Sequence, residues 1–238
     1  MVIGVVGGMG SYATLHFFKR YLEVFSAVKE WDRPRMIIDN RCTMPSRVRA
    51  ILYNEKFDQV VSELSESIIN LKNAGCSSIV LACNTSHVFL PYILKKHPEL
   101  EPIVENIIVN CSEEIVRNND IKEKISLIAT EGTIESNIYQ NTMQKDGINI
   151  QSPSEELYKE LRMYIEAVKQ NDISETCLKK FKEFIHNQPS NILIAGCTEF
   201  PVLIDYLSEE DFEGIKIYDP LEITLKKLHT SFLKESRS

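Results

Sequence analysis

Two stretches of the chain, LACNTSH (81–87) and IAGCTEF (194–200), end an apolar run with a thiol followed at once by small polar side chains. In each, a strand is expected to stop near the thiol and a helix to start just after it, at Thr85 and at Thr198. The first N–H groups of a helix have no intrahelical partner; with the helix dipole they favour an anion and lower the pKa of a nearby thiol. Asn84, Thr85 and Thr198 add hydrogen-bonding groups suited to a carboxylate. His87 and Glu199 stand where they could orient the neighbouring thiol or relay its proton. Two thiols facing each other across a small carboxylate suit the inversion of a stereocentre, in which a base works on one face of Cα and an acid on the other. A thiol does this well, because its unperturbed pKa of about 8.5 is within reach of neutral pH. The Cα–H of a free amino acid is far less acidic, so fixed dipoles must stabilise the carbanion. Cys42, Cys76, Cys111 and Cys177 have no such setting and read as structural, as buried cysteines commonly are.

The elements that would carry these loops follow from periodicity. Short apolar runs alternate with longer segments of helical period, the βαβ pattern of an α/β protein with parallel sheets covered by helices. Strands are expected at 2–6, 35–39, 78–82, 125–129, 191–195 and 215–218, with one more after Pro98 and Pro102. Helices are expected from Tyr12 to about Lys29, from Phe57 to a stop at Gly75, after the first thiol to about Lys96, and up to about Asn119. Others are expected from Ile134, near 155–170 and 174–187, after the second thiol, and at the C-terminus before a frayed KESRS tail. The stretches IGVVGGMGSYAT (3–14) and ISLIATEGTIES (125–136) resemble each other, and the two Gly loops are about as far apart in the chain as the two thiols. This weak repeat predicts two pseudo-symmetric α/β units, each bringing a thiol loop to the carboxyl ends of its strands, where open α/β sheets place ligands. The expected division is 1–98 plus 208–238 for the unit with Cys83, and 99–207 for the unit with Cys197, with the active site in the cleft between them.

Composition narrows the partners. A chain of 238 residues with 43% hydrophobic content can bury a real core, and a net charge of −7 offers no general basic surface to a nucleic acid or an anionic membrane. MVIGVVG (1–7) lacks the charged start of a signal peptide and no apolar run approaches a membrane span, so the expectation is a cytoplasmic protein with free thiols. The six cysteines show no CxxC spacing, which argues against a zinc site. GMGSYA (8–13) fits the short pattern G-x-G-x-x-A, with Asp39 at the end of the second strand, and a nicotinamide-dependent enzyme is the rival that it raises. An acidic-amino-acid binding protein on the same scaffold would also use these donors, and a related thiol-dependent isomerase or decarboxylase would use a thiol.

Taken in order over nearly the whole chain, GVVGGMG, ACNTSH, ATEGTIES and GCTEFP resemble the cofactor-independent aspartate/glutamate racemase family, and most closely its aspartate racemase branch. The resemblance implies two α/β domains with the site between them, no pyridoxal phosphate, no metal, and a homodimer. It implies that Cys83 and Cys197 exchange the α-proton, and that Asn84, Thr85, Thr130 and Thr198 hold the α-carboxylate. Gly8 and Met9 fall in the first motif and, with His87 and Glu199, count as catalytic support. MPSRVRA (44–50) resembles the family's Pro-x-Arg loop and AVKQND (167–172) its lysine segment, so Arg47 and Lys169 would bind the second carboxylate of a small acidic amino acid, aspartate before glutamate. A bidentate Arg with a Lys is what a second carboxylate requires. Ser11 stands where the family commonly has Pro, and Ser46 where an acidic residue commonly precedes the Arg.

Overall fold

The computed structural model describes residues 1–236. Among these residues eight strands form two parallel four-stranded sheets. The first holds β1 (Val2–Gly7), β2 (Arg35–Asn40), β3 (Ser78–Leu81) and β4 (Val104–Glu105) in the order β2-β1-β3-β4. The second holds β5 (Lys124–Ala129), β6 (Asn149–Gln151), β7 (Ile192–Gly196) and β8 (Lys216–Tyr218) in the order β6-β5-β7-β8. The two orders are the same, strand for strand, as the repeat predicts. Cys83 follows β3 and Cys197 follows β7, the equivalent strands. The register pairs Val6 with Leu81 and Ala129 with Gly196. The Gly loop after β1 is therefore level with Cys83, and Thr130 is level with Cys197.

The central strands are apolar throughout because helices cover both faces. Alternate residues point opposite ways: Ile3, Val5 and Val80 face one core, while Val6, Ile79 and Leu81 face another. The first of these cores continues into the second sheet through Ile125, Leu127 and Leu193, so the two units share it. The covering helices are α1 (Ser11–Val24), α2 (Arg47–Tyr53), α3 (Phe57–Asn73), α4 (Leu90–Lys96), α5 (Ile107–Arg117), α6 (Glu131–Glu135), α7 (Ile138–Met143), α8 (Tyr158–Lys169), α9 (Glu175–His186), α10 (Phe200–Ile204) and α11 (Pro220–Glu235). On α3 the buried face is Val60, Val61, Leu64, Ile68 and Leu71, and the helix gives way to Gly75 at φ +89, as the period and the glycine predict.

Several elements depart from expectation. Helix α1 stops at Val24 rather than Lys29: Phe25 takes a non-helical ψ of 47 and Val28 is fully exposed, so the apolar stripe has ended. The MPSRVRA segment is loop only through Ser46: α2 starts at Arg47, capped by the Ser46 side chain accepting from the Arg49 N–H, so the Arg itself opens a helix. The single helix expected from Ile134 is two short ones, α6 and α7, parted by Asn137 at φ 52, and β6 after them had no clear sequence signal in three residues. The division at 98/99 and 207/208 is corrected by the sheets: β4 pairs with β3 in the first sheet, and β8 pairs with β7 in the second. Each unit thus ends on a short strand just past the expected boundary. The tail expected to fray is helical through Glu235, while Arg237 and Ser238 lie outside the described residues. Of the cysteines read as structural, Cys76 and Cys111 are buried, Cys177 is half-buried and Cys42 is exposed. No helix among the described residues is long and apolar enough to cross a membrane.

Two glycines bring backbones together. At Gly132, on α6, a Cβ would lie 3.1 Å from the Val48 Cα on α2, which is where the units touch beside the cleft. At Gly8, φ is +81 and a Cβ would meet the Cys42 nitrogen at 2.5 Å and the Arg41 backbone at 2.6 Å. Gly8→Ala is expected to destabilise the protein by about 2 kcal/mol or more, from left-handed strain and a backbone clash together. The urea midpoint with an unchanged m-value measures this, and an unmoved midpoint would refute it.

Candidate active site

The carboxyl ends of β1, β3, β5 and β7 converge on one cavity between the units. The first unit contributes Met9, Arg47, Cys83, Asn84 and Thr85 to its wall, and the second contributes Thr130, Lys169, Cys197, Thr198 and Glu199. Both thiols are 6% exposed, and each half of the molecule supplies one. Ten residues singled out in the sequence are thereby brought together. Gly8 and His87 are not among the lining residues. Gly8 is turned against the 41–42 backbone, with its N–H donating to Thr14 Oγ1 at 2.9 Å.

The loop after β3 forms a 3₁₀ turn over Thr85–Phe89 before α4, and its polar side chains are held by the other unit. Thr85 Oγ1 lies 2.9 Å from both Thr130 Oγ1 and Thr133 Oγ1, and the last two are 3.0 Å apart, closing a triangle of hydroxyls. Thr130 also caps α6 by accepting from the Thr133 N–H. Asn84 Oδ1 accepts from the Tyr139 hydroxyl at 2.5 Å. The Arg47 guanidinium is fastened to its own unit: Nη1 donates to the Pro45 carbonyl at 3.0 Å and Nη2 to the Met9 carbonyl at 3.1 Å.

The second thiol sits differently. Helix α10 begins only at Phe200, with Glu199 rather than Thr198 at its cap, so the thiol precedes the helix by three residues. Cys197 Sγ donates to Glu199 Oε2 at 2.9 Å, and Thr198 Oγ1 donates to the same oxygen at 3.2 Å. Burial, and then the Glu199 charge, push the Cys197 thiol well above its ordinary value. The helix-lowered pKa expected at Thr198 is thus overturned for this thiol: desolvation and a neighbouring carboxylate outweigh the dipole of a five-residue helix. Burial pulls Lys169 down, but Glu199 and then Glu166, 3.0 Å away, raise it overall, so it stays cationic. Arg47 and Lys169 are two positive charges on the cavity wall, against the single carboxylate of Glu199.

His87 does not reach the Cys83 thiol. Its Nδ1 faces the Cys83 carbonyl at 3.0 Å and its Nε2 accepts from the Ile107 N–H at 3.4 Å, which makes Nδ1 the protonated nitrogen. Complete burial lowers its pKa from 6.5 to about 4. A neutral imidazole bonded at both nitrogens orients the thiol's backbone and relays nothing near neutral pH. The dinucleotide pattern also loses its residues. Asp39 accepts from Ser67 Oγ at 2.5 Å and faces Arg41, and a Cβ on Gly10 would lie 3.3 Å from Glu199 Oε1, a carboxylate where a phosphate would have to approach.

Sequence reasoning missed Thr133, Tyr139, Val48 and Ile165, and marked Ser46 only as a departure from the acidic residue that commonly precedes the Arg. Thr133 lies inside the ATEGTIES motif and could have been read with Thr130, three residues apart on one helical turn. Val48 and Ile165 are apolar wall residues with no local signal, and Tyr139 reaches Asn84 only through the tertiary fold.

The family model described as Asp/Glu/Hydantoin racemase matches residues 6–228. Among curated relatives, the broad specificity amino-acid racemase RacX of Bacillus subtilis (strain 168) is 22% identical over 219 residues, spanning 88% of this chain and 90% of its own. The glutamate racemase of Aquifex aeolicus (strain VF5) is 29% identical over 189 residues, 78% of this chain and 70% of its own. Among solved structures, the aspartate racemase of Picrophilus torridus superposes with a TM-score of 0.75 at 24% identity, over 98% of this chain and 93% of that one. The glutamate racemase isoform RacE1 of Bacillus anthracis gives 0.69 at 21% identity, over 98% and 82%. The superpositions establish a shared two-domain α/β fold.

Two measurements follow from the electrostatics. The unfolded chain binds more protons at His87 than the fold does between about pH 4 and 6.5, so stability rises with pH across that window and is lost as pH falls through it, by about 3 kcal/mol in all. In His87→Gln the slope of unfolding free energy against pH should shrink by one proton there, and equal slopes would exclude a neutral buried His87. Glu199→Gln removes the charge that raises Cys197, and alkylation of Cys197 by iodoacetamide, mapped by mass, should move to lower pH. An unmoved profile would show that Glu199 does not act on this thiol.

Proposed function

Because the chain belongs to the Asp/Glu/Hydantoin racemase family, we propose that it is a cofactor-independent racemase of a small acidic amino acid, aspartate foremost and glutamate second, working through Cys83 and Cys197. The observation that carries this reading is the meeting of one thiol from each unit on a single cavity that also holds Arg47 and Lys169.

With Cα between the sulfurs, the thiolate on one face takes the α-proton and becomes a thiol. The thiol on the other face gives up its proton to the opposite side of Cα and becomes a thiolate. In the reverse direction the two exchange roles. When Cys197 must act as the base, Glu199 Oε2, 2.9 Å from its sulfur, is the acceptor at hand. Asn84, Thr85, Thr130 and Thr198 hold the α-carboxylate and so stabilise the charge that spreads onto it as the carbanion forms. Arg47, pre-positioned by carbonyls of its own unit, and Lys169 take the second carboxylate. Nothing in this scheme calls on pyridoxal phosphate or a metal. Substrate would enter by the groove between α2 and α8, which shares Ser46, Val48, Thr130, Ile165 and Lys169 with the cavity. The same reading has the enzyme working in the cytoplasm as a homodimer. An apolar stripe on α1, with Tyr12, Leu15, Phe18 and Leu22 exposed, is the kind of surface that a second copy would cover.

The test follows L- and D-aspartate and L- and D-glutamate separately in deuterated water, without added cofactor, by chiral separation and mass. Deuterium at Cα with loss of optical purity is expected, and Cys83→Ser or Cys197→Ser should each slow it by at least about 10²-fold, since a hydroxyl is too weak an acid to exchange near neutrality. Near-wild-type racemisation by either serine variant would sink the two-thiol assignment. Binding of aspartate without exchange would point instead to a binding protein, and release of carbon dioxide to a decarboxylase.

A further inference from the structure

The side chain of an asparagine has two ends of similar shape and opposite character, and which end faces a ligand decides whether it repels or attracts a carboxylate. Asn84 is 2% exposed and lines the cavity, and its Nδ2 is buried without a hydrogen-bond partner among the described residues. Its Oδ1 is taken up on the other side by the hydroxyl of Tyr139, at 2.5 Å. Tyr139 belongs to α7 of the second unit, is wholly buried and does not line the cavity. Burial pushes its hydroxyl well above the ordinary range, so it remains protonated and donates. A phenolic O–H that donates to Oδ1 would lose its acceptor if the amide turned over. The turned amide would then present oxygen lone pairs to the substrate.

We propose that Tyr139 is the positioning residue for Asn84: its hydroxyl holds Oδ1 away from the cavity, and the N–H donors of Nδ2 face the substrate's α-carboxylate. The assignment rests on the racemase reading for its substrate, while the contact itself belongs to the fold. It also ties the second unit to the thiol loop of the first, beside the contact that Thr133 makes with Thr85.

Tyr139→Phe keeps the ring and removes the hydroxyl. Its kcat/KM for racemisation should fall about 10-fold or more, because a buried amide oxygen loses its donor and the flipped form becomes accessible. The shape of the pH profile should not change, as it would if Tyr139 exchanged protons itself. The double variant Tyr139→Phe/Asn84→Ala should be no slower than Asn84→Ala alone, since Tyr139 acts through Asn84. Wild-type activity in Tyr139→Phe, or losses that multiply in the double variant, would overturn the proposal. A second readout is independent of turnover: the Asn84 side-chain NH₂ pair in a ¹⁵N–¹H spectrum, identified by its loss in Asn84→Ala. In Tyr139→Phe this pair should shift and exchange with solvent deuterium several-fold faster, while the backbone spectrum stays folded. If the wild type fails to racemise any of the four amino acids, the racemase reading fails. The spectrum still decides on Tyr139, because an unchanged Asn84 pair would refute it.

Discussion

Three threonine hydroxyls, Thr85 from one unit and Thr130 and Thr133 from the other, satisfy one another at 2.9–3.0 Å at the seam of the molecule. A buried hydroxyl without a partner costs on the order of 1–3 kcal/mol. A small slide of one unit against the other would break both contacts of Thr85 at once and orphan its hydroxyl, while Thr130 and Thr133 keep each other, so the triangle holds the seam to one spacing. The close approach of Gly132 to Val48 sets that spacing from the side, and the shared core around Val5, Leu127 and Leu193 sets it from behind. The site depends on this constraint, because neither unit holds both thiols. A cleft that opened by an ångström or two would leave two half-sites, each with a thiol and a few donors and nothing on the far face of a substrate.

The fold is repeated but the chemistry at its two ends is not. Both thiols follow the equivalent strand of equivalent sheets. Around Cys197 a carboxylate sits within hydrogen-bond reach and holds the proton on sulfur. Around Cys83 the nearest titratable neighbour in sequence, His87, has turned away to bind backbone on both of its nitrogens. Burial explains the difference: an imidazole with no charged partner in a low-dielectric interior is held neutral, whereas Glu199 has Lys169 beside it. A racemase has to handle mirror-image substrates, but its protein groups are not mirror images, and the two directions meet different surroundings.

Much of this is legible in the sequence. The apolar runs marked the strands because strands buried on both faces need apolar residues in unbroken series. Glycine at a required left-handed position marked the end of α3. The errors came where local signals are weak or contested. Strands of two or three residues such as β4, β6 and β8 carry too little pattern to be assigned to a sheet, so the expected domain boundaries fall short of β4 and β8. The segment around Arg47 resembles a Pro-x-Arg loop, but Ser46 serves as a helix cap and Arg47 opens α2.

By itself the sequence determined that two like α/β units each end an apolar strand in a thiol with hydroxyl and amide neighbours, since strand pattern and residue chemistry are local properties. Tertiary structure alone decided which side of each residue is used. It turned His87 toward backbone and set Glu199 on a thiol. It aimed Arg47 by three carbonyl oxygens from two loops, and put Tyr139 and Thr133 behind Asn84 and Thr85. These contacts join residues up to 55 positions apart, as for Tyr139 and Asn84. No spacing rule reaches that far, because hydrogen-bond partners in a buried seam are chosen by the packing of whole sheets.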